Sequence, residues 1–145
     1  MPAHDTGERE LRAQLDRIVE GLRTKDLDLL RGLYLPEVVS FDVEAPLQHV
    51  GVDAKMANWA KVFEVFDTVS YEFRALRFTL GAEVAFGHGF GRLAGTLRAG
   101  PAVAGMWVRA TFGFRKIDGV WLIAHDQVSV PLDMATRTAV LDLRP

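Results

Sequence analysis

Residues 120–130 read as a β-strand, and alternation divides them into two rows. Leu122, Ala124, Asp126, Val128 and Val130 share one face, and Trp121, Ile123, His125, Gln127 and Ser129 share the other. Asp126 is therefore a carboxylate in an otherwise apolar row. Two more ionisable groups are read the same way: His88, aligned with Val84, Phe86 and Phe90, and Asp42, on a short strand over 38–43. Projected from different strands into one apolar cavity, Asp42, His88 and Asp126 form a set suited to proton transfer. Burial raises a carboxylate's pKa, a neighbouring cation opposes that, and a base working near neutral pH is built by balancing the two. The expected chemistry has Asp42 abstracting or relaying a proton, with His88 and Asp126 as hydrogen-bonding acid/base partners. The reaction would be of isomerase, cyclase, dehydratase or hydrolase type, on a mostly apolar substrate and without a cofactor. Purely structural roles are open for each: Asp42 capping the following loop, Asp126 bonding a backbone amide or Tyr34, and His88 satisfied within the core.

Other catalytic patterns are missing. The run Gly87-His-Gly-Phe-Gly91 lacks the G-x-G-x-x-G spacing and continues into strand rather than opening a helix. The four histidines include no i, i+4 pair on a helix, which argues against a metal site. There is no Gly-x-Ser-x-Gly elbow, and the absence of cysteine removes thiolate chemistry and disulfides.

The elements that must position the candidates follow from periodicity. Leu11, Leu15, Ile18, Val19 and Leu22 recur on one helical face over 8–23, with Asp5 or Thr6 available as a cap. A shorter helix is predicted over 26–35, with Asp26 as N-cap and Pro36 closing it. Met56, Trp59, Ala60, Phe63 and Phe66 give a third helix over 52–66. Four strands then run over 68–80, 83–97, 103–116 and 120–130, joined at Gly81-Ala82, at 98–101 and at Asp118-Gly119, the last being a strong hairpin signal. The order ααβαββββ predicts an α+β domain spanning 1–145. In it, one cone-shaped curved antiparallel sheet carries three helices on its concave face around a cavity. Tyr34, Trp59, Phe63, Phe86, Phe90, Phe112 and Phe114 are the expected wall of that cavity. The opposite face carries Trp107, Arg109, Trp121, His125, Gln127 and Ser129, too aromatic for a wet surface, and is read as a homodimer interface. The segment after Pro131 is expected to be an arm on the surface or on a partner.

Composition bounds the setting. A chain of 145 residues suffices for one domain burying about 70% of its unfolded surface. A formal charge of −2, with lysine and arginine scattered, argues against a nucleic-acid footprint. No basic segment leads into an apolar run near the N-terminus, and no run approaches the roughly 18 residues of a membrane span. A cytoplasmic protein is the expectation.

Two segments carry a family resemblance. Residues 106–131 resemble the closing hairpin of SnoaL-like and ketosteroid-isomerase-like proteins of the nuclear transport factor 2 fold. Residues 40–51, Ser-Phe-Asp-Val-Glu-Ala-Pro-Leu-Gln-His-Val-Gly, resemble the isomerase segment in which an aspartate base precedes a glycine that opens the third helix. The resemblance implies that Asp42 is that base, that Tyr34 and Trp59 line the cavity, and that Asp26 starts the second helix. It departs at the oxyanion donors. Ile18 stands where the isomerases have a tyrosine, and Ala110 or Thr111 where they have a protonated aspartate; one such donor is worth about 3–4 kcal/mol. Gln127 replaces the second histidine of the His-x-His-x-Ser pattern seen in SnoaL-like proteins. The run Arg-Lys-Ile-Asp-Gly-Val-Trp is also similar to the association domain of calmodulin-dependent protein kinase II, which implies the alternative of a non-catalytic binding or oligomerisation module.

Overall fold

The computed structural model describes residues 3–145. Helix α1 (Ala3–Arg23) turns Leu11, Leu15, Ile18 and Leu22 into the core, as their spacing requires. Helix α2 (Leu27–Arg31) is a single turn beyond α1, and its N-cap Asp26 accepts from the Leu29 amide at 3.0 Å. It ends five residues before Pro36, so the proline does not close it. Pro36 instead lies inside strand β1 (Tyr34–Phe41), in the irregular stretch between Tyr34 and Val39 where the pairing register shifts and a missing N–H breaks no regular ladder. Strand β2 (His49–Val50) and helix α3 (Val52–Val65) follow.

Strands β3 (Phe66–Leu80), β4 (Val84–Leu97), β5 (Ala102–Ile117) and β6 (Val120–Ser129) form the expected meander. The six-stranded sheet has the order β2-β1-β6-β5-β4-β3. Its pairs are antiparallel except β1 and β6, which run parallel because the meander brings its last strand back beside the first. The sheet is therefore mixed rather than wholly antiparallel, with the helices packed on one face. The segment after Pro131 forms a small hairpin of β7 (Leu132–Asp133) and β8 (Thr138–Ala139).

Two register features decide which residues face the helices. In β4 the inward row is Ala85, Gly87, Gly89 and Gly91, whereas Val84, Phe86 and His88 are exposed and Phe90 is half-buried on the outer face. That inverts the expected orientation. The physical reason is volume: side chains from β3 lie over the glycines, so that a Cβ on Gly87 would meet the Phe78 ring and one on Gly91 would overlap the Tyr71 hydroxyl. In β6 a register shift opposite Gly113 and Phe114 inserts an extra residue between Ile123 and His125. Trp121 and Ile123 therefore point inward before the shift, and Asp126 and Val128 after it. Trp121 is core rather than outer face.

Candidate functional site

Asp126 owes its surroundings to the parallel β1–β6 pair, whose register sets Ser40 directly beside it. Both side chains are buried, and the Ser40 hydroxyl donates to Asp126 Oδ1. The cation that completes the cluster comes from α3. Lys55, only 4% exposed, places Nζ 3.2 Å from Asp126 Oδ2 and donates to Ser40 Oγ at 2.9 Å. The same ammonium lies 5.8 Å from the Tyr34 ring centre and 5.7 Å from that of Trp59, within cation–π range of both. A buried carboxylate is tolerable here because both of its oxygens are bonded and its charge is balanced.

Asp42 lies two residues beyond Ser40 at the end of β1. Its Oδ1 accepts from the Val43 amide at 2.9 Å and its Oδ2 from Asn58 Nδ2 at 2.6 Å, so the strand end and α3 together fix its orientation. Part of its expected structural role is therefore real: it caps the following loop. Asp42 also lines an open cleft of about 770 Å³ between the 41–48 loop and the 127–132 segment. The walls are mostly apolar, from Phe41, Val43, Leu47, Val128 and Pro131, and Asp42 is their one carboxylate among the described residues.

Two neutral phenols complete the interior. Burial pushes the Tyr34 hydroxyl well above the ordinary phenol range, reinforced by the negative charge of Asp126, by Tyr71 and by Asp42. Trp59 opposes that shift, although its buried Nε1–H makes no hydrogen bond of normal geometry. Burial likewise raises Tyr71, with Asp126 and then Asp42 adding to it. Both remain protonated at neutral pH and can donate.

The structure thus brings together Asp42, Asp126, Tyr34 and Trp59 of the sequence-derived set, with Phe63 stacked on Trp59 at 6.3 Å. Phe112, in register with Asp126, and Phe114 are packed core at 4% and 1% exposure. His88, Phe86 and Phe90 lie on the other side of the sheet, so His88 is no acid/base partner of the aspartates. Sequence reasoning missed Ser40, Lys55, Asn58 and Tyr71. Lys55 had a legible signal: it sits four residues before Trp59 and eight before Phe63, a cation on the apolar stripe of α3. Ser40 shares the β1 row of Val38 and Asp42, but the parallel pairing that joins it to Asp126 was not visible.

Residues 11–133 match the family model of the SnoaL-like domain, and the chain belongs to that family. Solved structures agree on the fold. A nuclear transport factor 2-like protein of unknown function from Pseudomonas putida KT2440 is 26% identical, with a TM-score of 0.86 over 97% of this chain and 98% of its own. A nuclear transport factor 2 superfamily protein from Salmonella enterica is 17% identical, with a TM-score of 0.80 over 91% and 96%. A ketosteroid isomerase-like protein from Erwinia carotovora atroseptica is 21% identical, with a TM-score of 0.69 over 83% and 93%. No curated protein sequence gives a significant match. Among the described residues no helix is long and apolar enough to cross a membrane.

Proposed function

We propose that the chain is a cofactor-independent enzyme that moves protons on a small, mostly apolar substrate seated in the cleft, with the Asp42 carboxylate as the base. The observation that carries this reading is the double position of Asp42. It is oriented by Val43 and Asn58 on its inner side and is the carboxylate of an apolar-walled cleft on the other. A base needs that combination of fixed geometry and access to the proton it removes. Behind the cleft wall, the neutral phenols of Tyr34 and Tyr71 and the Lys55 ammonium surround the aspartates and would supply dipoles and a positive field in a chain that lacks the donors at Ile18 and at Ala110 or Thr111. Asp126 holds Lys55 and Ser40 and is not a second base, since it is buried against its counter-ion and does not line the cleft. Isomerisation next to a carbonyl and loss of water from a hydroxy ketone both fit this arrangement. The absence of cysteine fits a cytoplasmic setting.

The test is thermal stabilisation of wild type and Asp42→Asn by steroids, polyketide-like aromatics, terpenoid epoxides and short hydroxy acids, followed by turnover of whatever binds. Asp42→Asn should lower turnover by about 10²–10⁴. Unchanged turnover in that variant removes Asp42 as the base. Saturable binding with no turnover in wild type makes the chain a ligand carrier.

The same proposal includes a homodimer through the outer sheet face, with a membership different from the sequence reading. Val84 at 62% and Phe86 at 52% exposure lie uncovered there beside His88 and Arg109, while Trp121, which is core, and Trp107, which lies under Arg74, drop out. Light scattering should give twice the 16.1 kDa chain mass for wild type and the single mass for Phe86→Asp.

A further inference from the structure

A second concavity lies on the outer face of the sheet. Cross-strand pairing sets Glu72, Arg92 and Trp107 in one row over β3, β4 and β5. Arg74, two residues further along β3, lays its guanidinium over the Trp107 ring, 4.4 Å from the ring centre. Arg144 reaches the same place from the C-terminal segment. With Ala104 and Gly105 these residues enclose about 260 Å³.

The charges in this space do not balance. Three guanidinium groups face one carboxylate, and the contact between Arg92 Nη1 and Glu72 Oε1 is long at 3.8 Å. Among the described residues neither Arg74 nor Arg144 has a carboxylate within ion-pair distance. Three minus one leaves a local charge of +2 on a chain whose formal total is −2. Cations held side by side repel, and the arrangement is stabilised by an anion that fills it.

The arginines are also held in place. Stacking on Trp107 fixes Arg74, and Arg92 folds flat across Gly105, where a Cβ would overlap its Nε, Cζ and Cγ atoms. A guanidinium held in this way gives up less freedom when it engages two oxygens as a fork.

We propose that this concavity binds a small dianion, a phosphate group or a short dicarboxylate, between Arg74, Arg92 and Arg144. The volume suits an anionic group of a few atoms. The site is separate from the Asp42 cleft: the two share no lining residue.

Titration calorimetry at constant ionic strength tests it, with inorganic phosphate and succinate as probes and sodium chloride as the control. Wild type should bind one of the two saturably and chloride not at all; which one binds separates the phosphate from the dicarboxylate source. Arg92→Gln should weaken binding by about tenfold or more, and Glu72→Gln should tighten it. Gly105→Ala is the decisive variant, because it keeps every charge and only displaces the Arg92 side chain. Weakening comparable to Arg92→Gln establishes a built site. Binding unchanged in Gly105→Ala, or no saturable binding of either probe by wild type, overturns the proposal. Asp42→Asn should bind the probe as wild type does.

Discussion

Ser40 and Asp126 are register neighbours in the parallel β1–β6 pair, and the serine hydroxyl donates to a carboxylate whose other oxygen faces Lys55. Strand pairing thus places an acceptor and a donor side by side, and the helix that β1 leads into supplies the cation. The buried charge is local to three residues from three elements, which makes its energetics separable from the rest of the core.

Removing one partner strands the other. Lys55→Met leaves Asp126 buried without a counter-ion and should cost about 3–5 kcal/mol in urea unfolding. Joining it to Asp126→Leu removes the stranded charge, and the double variant should recover most of that loss, since buried pairs replaced by apolar residues are often neutral or stabilising. Losses that simply add in the double variant would show that the two residues are not an ion pair.

The inverted face of β4 predicts a contrast between two phenylalanines that its sequence reading equated. Phe112 is 4% exposed and packs edge-on against Phe73 at 5.8 Å, whereas Phe86 is 52% exposed. Phe112→Ala should cost about 3–5 kcal/mol, and Phe86→Ala less than about 1 kcal/mol when measured on monomer. Equal losses would put Phe86 back in the core.

These cases show what a sequence can and cannot disclose. Alternation along 84–91 correctly separates large residues from small ones, but the period is the same whichever row faces inward. The choice is made by Phe78, Leu76 and Tyr71 reaching across from β3, and that is a tertiary fact. In β6 a one-residue insertion changes the facing row midway, so the reading was right for Asp126 and wrong for Trp121. The helices, the meander and the Asp118-Gly119 turn, both of whose residues take positive φ, depended on local patterns and were legible. Asp126 stood out as a charge in an apolar row. Lys55 had the same mark on α3, and two opposite charges each misplaced on an apolar face could have been read as partners.

Gly91 tests the packing that holds Tyr71. Its backbone is extended, so alanine is allowed locally, but the added methyl would overlap the Tyr71 hydroxyl and ring. Gly91→Ala should cost about 1–3 kcal/mol by overpacking. Because Tyr71 borders the aspartates, the variant should also weaken any ligand that requires its hydroxyl, and Gly91→Ala combined with Tyr71→Ala should regain part of the stability. A Gly91→Ala protein as stable as wild type would mean that Tyr71 does not lie over the glycine.

Alkaline titration follows from the two tyrosines, which are all the chain contains. Both have folded-state pKa values above the ordinary phenol value of 10.0, with burial the main cause and Asp126 the next for Tyr34 and for Tyr71. Raised values fix the sign of the effect. Below about pH 10 both states hold the phenolic protons and the contribution to stability is whole; above it the unfolded chain releases them first, and stability falls as the pH climbs towards the folded values. Each tyrosine adds a slope of up to about 1.4 kcal/mol per pH unit in that window. Tyrosinate absorbance should therefore stay flat through pH 10 and rise in one cooperative step together with the loss of helical circular dichroism. Tyr34→Phe should move that step to higher pH, since one of the two proton-release sites that drive unfolding is gone. Smooth ionisation of either phenol near pH 10 in the folded protein would mean that it is open to solvent and that the neutral donors assigned to the site are not there.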